Sequence, residues 1–209
     1  NVGLKALINI TGYTDIDSSA ISFGIAPRIN ACGRMGEAET ALKLLLTSSV
    51  DEANQIALLL NETNKVRQDV EKGIINEAIS IIEKNKLYNN DIIVVGSTNW
   101  HHGVIGIVAS RLTDKYGVPT ILISFDDDGM GKGSGRSVKG LNLVDALSAC
   151  SDCLEKYGGH ELAAGLSVER SKFEEFKEKI NKYSEKYDLK AEDIITAQRM
   201  AIWNITNGL

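Results

Sequence analysis

GMGKGSGRSVKGLNLV, residues 129–144, is the stretch from which the rest of the chain is read. Five of its sixteen residues are glycine, and its only charges are Lys132, Arg136 and Lys139. The whole chain carries a net charge of −5, so a wholly basic, glycine-rich segment stands apart from its surroundings. Glycine lets a backbone come close to a ligand and turn N–H groups toward it. Arg136, between Gly135 and Ser137, offers a planar fork suited to phosphate. The functional reading is a cradle for phosphate or a nucleic-acid backbone. The plain alternative is a surface hairpin whose lysines are solvated.

Outward from this segment, residues 87–187 carry alternating strand and helix signals. Asp91–Gly96 has the short apolar pattern of a buried strand. Val104–Tyr116 is apolar nearly all round at its start, as in a deeply packed helix, and Gly117 and Pro119 stop it. Pro119–Phe125 is a second strand, and a third lies around Gly133–Val138. Asn142 caps a helix with Leu143, Leu147, Cys150, Leu154 and Tyr157 on its inner face, ended by Gly158. Another strand lies in Leu162–Glu169. Ser171 and Glu174 form a capping-box pattern for a helix with Phe173, Phe176, Ile180, Tyr183 and Tyr187 on one face. The order β-α-β-β-α-β-α predicts a compact α/β domain.

Upstream, Asp15 and Asp17 read as a cap or turn. GIAPRINACGRMG, residues 24–36, is broken by Pro27, Gly33 and Gly36 and reads as a loop carrying Arg28, Asn30 and Arg34. Those three suit phosphate or carboxylate recognition, or else interdomain ion pairs. From residue 37 to 84 the apolar spacing is helical, punctuated at Thr47–Ser49. One helix over residues 50–84 would be about 50 Å long, with Gly73 a possible kink. Such a length fits a connector. The first residue is not Met, and the expectation is that Asn1 is an internal point of a longer protein.

Three loops are candidates for chemistry. Trp100-His101-His102-Gly103 precedes a helix, where N–H groups and the dipole favour an anion and Trp100 could stack on a base. The alternative is an aromatic plug with one capping histidine. The second is Gly133-Ser134-Gly135-Arg136-Ser137, and the third is Gly158-Gly159-His160, which alone reads as a helix end with an incidental histidine. All three histidines of the chain fall in the first and third clusters. No Ser-His-Asp arrangement is present, and Asp126, Asp127 and Asp128, consecutive in a turn, read as solvated. Cys150 and Cys153 form a C-x-x-C without a second pair, so both read as small buried residues. No apolar run is long enough to span a bilayer, and no basic-then-apolar leader is visible. The expectation is a soluble, intracellular protein.

NWHHGVIGIVASRL, GKGSGRS and YGGHELAAG, in that order, resemble the DHHA1 domain of the RecJ single-stranded-DNA exonucleases, and FGIAPRINACGRMG resembles the end of their DHH domain. The resemblance runs from about Gly3 to about Tyr187. It implies a fold with a central mixed β-sheet flanked by helices, preceded by a long connector helix and the end of a DHH domain. The division it implies is 1–48 for the DHH end, 49–86 for the connector, 87–187 for DHHA1 and 188–209 for the approach to an OB-like segment.

The resemblance also implies 5′–3′ degradation of single-stranded DNA in repair and recombination, with Mn²⁺ or Mg²⁺ held by the DHH domain. His101, Arg136 and His160 would contact the strand. Ser134, Gly135 and Ser137 would give hydrogen bonds and close backbone approach, while Arg28, Asn30 and Arg34 would lie on the cleft side. His102, Gly103, Gly158 and Gly159 accompany them. The family's metal-binding aspartates and Asp-His-His motif have no counterpart in these residues, so the expectation is strand binding without a metal site or hydrolysis of its own. Single-stranded DNA is the expected partner, with a single-strand-binding protein or helicase as candidates and no membrane; the location expected is cytoplasmic. Alternatives are a DHH-type oligoribonuclease or cyclic-dinucleotide phosphodiesterase, a purely binding module, and a synthetase-linked editing domain, against which the PRINACGR segment argues.

Overall fold

The structure, a computed structural model, describes residues 1–187. The approach to an OB-like segment expected over residues 188–209 lies outside the described residues. Two compact units divide between Lys72 and Gly73.

The first unit is helical. Helix α1 (Val2–Thr11) is capped by Asn1, whose side chain accepts from the Leu4 N–H at 2.8 Å. A six-residue π-helical stretch (Ala20–Ile25) follows, and the Asp17 carboxylate accepts from the Ala20 N–H at 2.7 Å, as a cap should. Residues 24–36 are not the loop expected. They enter helix α2 (Ala26–Met35), with Pro27 in its first turn and Gly36 at φ 95° closing it. Proline is tolerated there because the first-turn N–H groups have no intrahelical acceptor. Helix α3 (Ala38–Leu46) crosses α1 so closely that a Cβ on Gly3 would stand 1.8 Å from the Leu44 carbonyl oxygen. Leu7, Cys32, Leu44, Ala57 and Leu60 form the core of this unit.

Helix α4 (Val50–Lys84) runs unbroken through Gly73 and across the division between units. The second unit holds β1 (Ile93–Ser97), α5 (His102–Tyr116), β2 (Thr120–Phe125), β3 (Met130–Arg136), α6 (Leu143–Ser148), β4 (Lys156–His160), β5 (Ala163–Glu169) and α7 (Phe173–Ser184). The sheet order is β1-β2-β3-β5-β4, with β1 and β2 parallel and the other pairs antiparallel. Helix α5 lies against β2 and β3, and α6 against β4 and β5. Ile121, Ile123, Phe125, Leu147, Leu166, Val168 and Phe176 belong to one core beneath the sheet.

The expected helix from Asn142 to Tyr157 stops at Ser148. A short turn (Ser151–Cys153) follows, and the chain then becomes β4, which the apolar spacing does not reveal. Leu143, Leu147, Cys150 and Leu154 are all buried as the inner-face reading requires, but Tyr157 is not: it lies on the edge strand β4 and is exposed. Cys150 and Cys153 are buried as well; burial pushes the Cys150 thiol up to about 11 and raises that of Cys153. The capping box at Ser171 does not form. That hydroxyl donates to the Glu169 carboxylate at 3.0 Å, and α7 begins after a short turn, Arg170–Lys172.

Candidate nucleic-acid interface

The seven residues of β3 face two ways, because side chains alternate along a strand. Gly131, Gly133 and Gly135 point into the core. A Cβ on Gly133 would stand 2.7 Å from Leu166, and one on Gly135 2.7 Å from Leu143. Their glycine identity is thus set by core packing; the expected close approach of a ligand is not what requires it. Lys132, Ser134 and Arg136 point to the opposite face, the one α5 partly covers.

Arg136 is held in place from both sides. Its Nη1 donates to the Gly135 carbonyl at 2.8 Å and to the Ser134 hydroxyl at 3.3 Å. From α5, Gly106 leaves the space: a Cβ there would lie 2.9 Å from Ser134 Oγ and 3.3 Å from an Arg136 Nη. Nothing in the sequence pattern marks Gly106 for this. Ser137 is otherwise engaged, its hydroxyl donating to the Leu141 carbonyl at 2.9 Å, so it shapes the following loop.

The strand register extends this face. Arg136 pairs with Ala163 and Ala163 with His160; Ser134 pairs with Gly165 and Gly165 with Gly158; Lys132 pairs with Ser167 and Ser167 with Lys156. Gly158-Gly159-His160 is thus an exposed edge strand, not a helix end. The Gly158 position is open, with nothing within 4 Å of a Cβ there. Gly159 is different: φ is 148° and a Cβ would meet the Ala163 oxygen at 2.4 Å.

At the start of α5, the His101 ring accepts from the Gly103 N–H through Nδ1 at 3.1 Å. The Val104 and Ile105 N–H groups turn back on the His101 carbonyl at 2.9 and 3.3 Å. The first turn is therefore closed by its own cap, and the anion site expected from free N–H groups is not formed by these three. What the cap leaves is a fixed tautomer, with the His101 proton on Nε2. His102 stacks on His101, ring centroids 5.2 Å apart. Desolvation, then the charge of Lys132, then His101 lower the His102 pKa. Trp100 is buried, its carbonyl accepting from Ser124 Oγ at 2.5 Å and its indole Nε1 without a hydrogen-bond partner. It is the plug, and it presents no face to a base.

In the first unit, Asn30 and Arg34 stand one turn apart on α2 and are exposed. Arg28 is directed elsewhere, donating to Asn61 Oδ1 at 2.9 Å and the Gly24 carbonyl at 2.6 Å.

Among the described residues, Asp152, Cys153 and Glu175 bring possible ligand atoms within 4.8 Å of one another. Mn²⁺ and Mg²⁺ favour oxygen donors. Here one donor is a buried thiol with a raised pKa, and the Asp152 carboxylate is paired with Lys179 at 2.5 Å. These residues do not fit a hard divalent ion. Among the described residues no helix is long and apolar enough to cross a membrane.

Residues 89–186 match the model of the DHHA1 domain. The chain is 36% identical over 202 residues to a Bacillus subtilis protein named single-stranded-DNA-specific exonuclease RecJ, covering 95% of this chain and 25% of that protein. It is 34% identical over 186 residues to its Escherichia coli namesake, covering 85% of this chain and 32% of that one. The chain thus spans about a quarter to a third of the length of these curated relatives. Among solved structures, RecJ in complex with Mn²⁺ from Thermus thermophilus superposes with a TM-score of 0.80 at 36% identity, over 88% of this chain and 27% of that one. Another, exonuclease RecJ bound to manganese, gives 0.78 at 37%, over 88% and 45%. The arginine-bearing glycine strand, the capped histidine turn and the glycine–histidine edge strand thus all lie within the residues that match the DHHA1 domain, in a chain similar over most of its length to part of the RecJ proteins.

Proposed function

We propose that the second unit grips the backbone of a single DNA strand for a metal-dependent 5′–3′ exonuclease acting in repair and recombination. The observation that carries this is the open face of β3, β5 and β4. There a preoriented guanidinium, Arg136, and an exposed imidazole, His160, flank a floor without bulky side chains at Ala163, Gly165 and Gly158. A phosphodiester needs donors at its oxygens and room for its sugars, and this surface offers both. His101 and His102 contribute donors from the α5 end, and Asn30 and Arg34 are the exposed candidates in the first unit.

The hydrolytic ion, Mn²⁺ or Mg²⁺, belongs in this reading to residues other than those described, in keeping with the poor donor set at Asp152. When bound it would supply an activated water. The described residues hold and orient the strand. A single-strand-binding protein or helicase is a candidate partner, and the cytoplasm the expected location.

The complete protein carrying this chain should degrade long single-stranded DNA in Mn²⁺ and do so faster than it cleaves dinucleotides. Preference for dinucleotides would favour an oligoribonuclease or cyclic-dinucleotide phosphodiesterase. The 209-residue chain alone should bind a labelled single strand without cleaving it; chelator-sensitive degradation by the chain alone would refute the division of labour.

A further inference from the structure

The sheet face does not end at the arginine row. Two rows along, Lys132 on β3 and Lys156 on β4 flank Ser167 on β5. Both lysines are exposed, and neither forms an ion pair among the described residues. They line, with Ser167 and Gly165, a shallow depression of about 320 Å³. Between this row and the arginine row lies Ser134–Gly165–Gly158, in which the two glycines on β5 and β4 carry no side chain. Alternate residues of a strand are spaced by about 6.7 Å, so Lys132 and Arg136 are about 13 Å apart along β3. One row further out, Glu169 on β5 opposes Met130 and brings a carboxylate to this face. The basic run is therefore bounded: it begins at Arg136 and His160 and ends at Lys132 and Lys156.

We propose that Lys132 and Lys156, with Ser167 between them, form a second phosphate subsite that reads strand length. This rests on the strand-binding reading above. A ligand of one or two nucleotides held at Arg136 does not span the glycine row; a longer strand crosses it and engages both lysines. The lysines are then positioning residues for polymeric substrate, and they set its preference over short products. Ammonium groups on flexible stems suit this part, because they attract a phosphate without imposing the fixed fork of an arginine.

The test uses the complete protein, in chelator so that nothing is cleaved. Binding is measured for a 5′-phosphorylated oligothymidylate of roughly a dozen nucleotides, within the usual site sizes of single-strand grooves, and for the 5′-phosphorylated dinucleotide. The double variant Lys132→Gln/Lys156→Gln should lower the ratio of long-strand to dinucleotide affinity. Two lost contacts at about 0.7 each make the salt slope for the long strand shallower by about 1.4, or about sevenfold less loss over a fourfold rise in salt. The Lys132→Arg/Lys156→Arg pair should restore the ratio, which a merely misfolded surface would not. An unchanged ratio, or an equal loss for both ligands, overturns the subsite. Arg136→Ala in the same assay separates the two claims. If it weakens binding while the lysine pair has no effect, only the length subsite fails; if neither has an effect, the strand-binding reading fails with it.

Discussion

Arg136 and His160 share one neighbour: each is the registered partner of Ala163, Arg136 from β3 and His160 from β4. Twenty-four positions apart in sequence, they are two strands apart in space, about 9.6 Å between backbones. A methyl group is all that separates them on the β5 strand between. In the strand-binding reading, phosphate oxygens resting over Ala163 would receive donors from both sides.

Substituting Arg136 by Ala should weaken single-strand binding and make the salt dependence shallower by about 0.7 for one lost phosphate contact. Lysine at this position should recover the slope better than the affinity, since it keeps the charge but loses the fork that Ser134 and the Gly135 carbonyl hold in place. Fluorescence anisotropy across a salt series measures both quantities. An unchanged slope in the alanine variant would remove Arg136 from the list of phosphate contacts.

Gly133 and Gly158 should respond oppositely to alanine. At Gly133 the new methyl would press on Leu166 at 2.7 Å and Ile123 at 3.1 Å, so overpacking should cost about 1–3 kcal/mol in denaturant unfolding. At Gly158 the methyl meets nothing within 4 Å, so stability should hold while strand affinity falls.

Trp100→Ala should destabilise the fold by about 3–5 kcal/mol, the usual range for a large buried aromatic. Trp100→Phe should be far milder, because it keeps most of the volume and removes an indole N–H that has no partner. Urea melts of the two variants, alongside their DNA affinities, check this; a loss of affinity in the phenylalanine variant at full stability would restore a stacking role.

His102 should titrate below the ordinary histidine value of about 6.5. Its folded pKa is depressed, so the unfolded chain binds more protons as pH falls through about 6.5. This group's contribution is therefore present above that pH and lost below it. Lys132→Gln should raise the His102 pKa by removing a nearby positive charge. Histidine-resolved NMR titration of the two proteins gives the comparison directly, and an unshifted value in the variant would place Lys132 too far away to matter.

Cys150 should resist alkylation at mildly alkaline pH while the protein is folded, since burial pushes its thiol up to about 11 and shields it from reagent. Mass spectrometry after brief labelling should find Cys150 unmodified until denaturant is added.

The strands β1 and β2 were legible as short, continuous apolar runs, and the long α4 and the apolar face of α7 by apolar residues at one helical period. The strand β4 was not. Lys156-Tyr-Gly-Gly-His160 is exposed along its whole length and buries nothing that would mark a period of two. It is a strand because β5 pairs with it. Residues 26–35 misled in another way, since Pro27 punctuates a sequence but sits without penalty in the first turn of a helix. At the site, the histidines, Arg136 and the Gly158-Gly159 pair could be picked out by residue type. Gly106, Lys156 and Gly165 could not, because their part depends on what a neighbouring element places opposite them.

The two-sidedness of β3 has a consequence for how such proteins diverge. The fold depends on the odd-numbered positions of Gly131–Gly135, and in the proposed strand-binding reading the ligand meets the even-numbered ones from Lys132 to Arg136. The two sets can therefore change independently. A descendant could exchange Lys132, Ser134 and Arg136 for residues suited to another ligand while every glycine stayed in place. Its backbone would be unchanged and its sequence would still look like the same glycine-rich motif. In this architecture the glycines report the packing of the core, and under the strand-binding reading the residues between them would set what is bound.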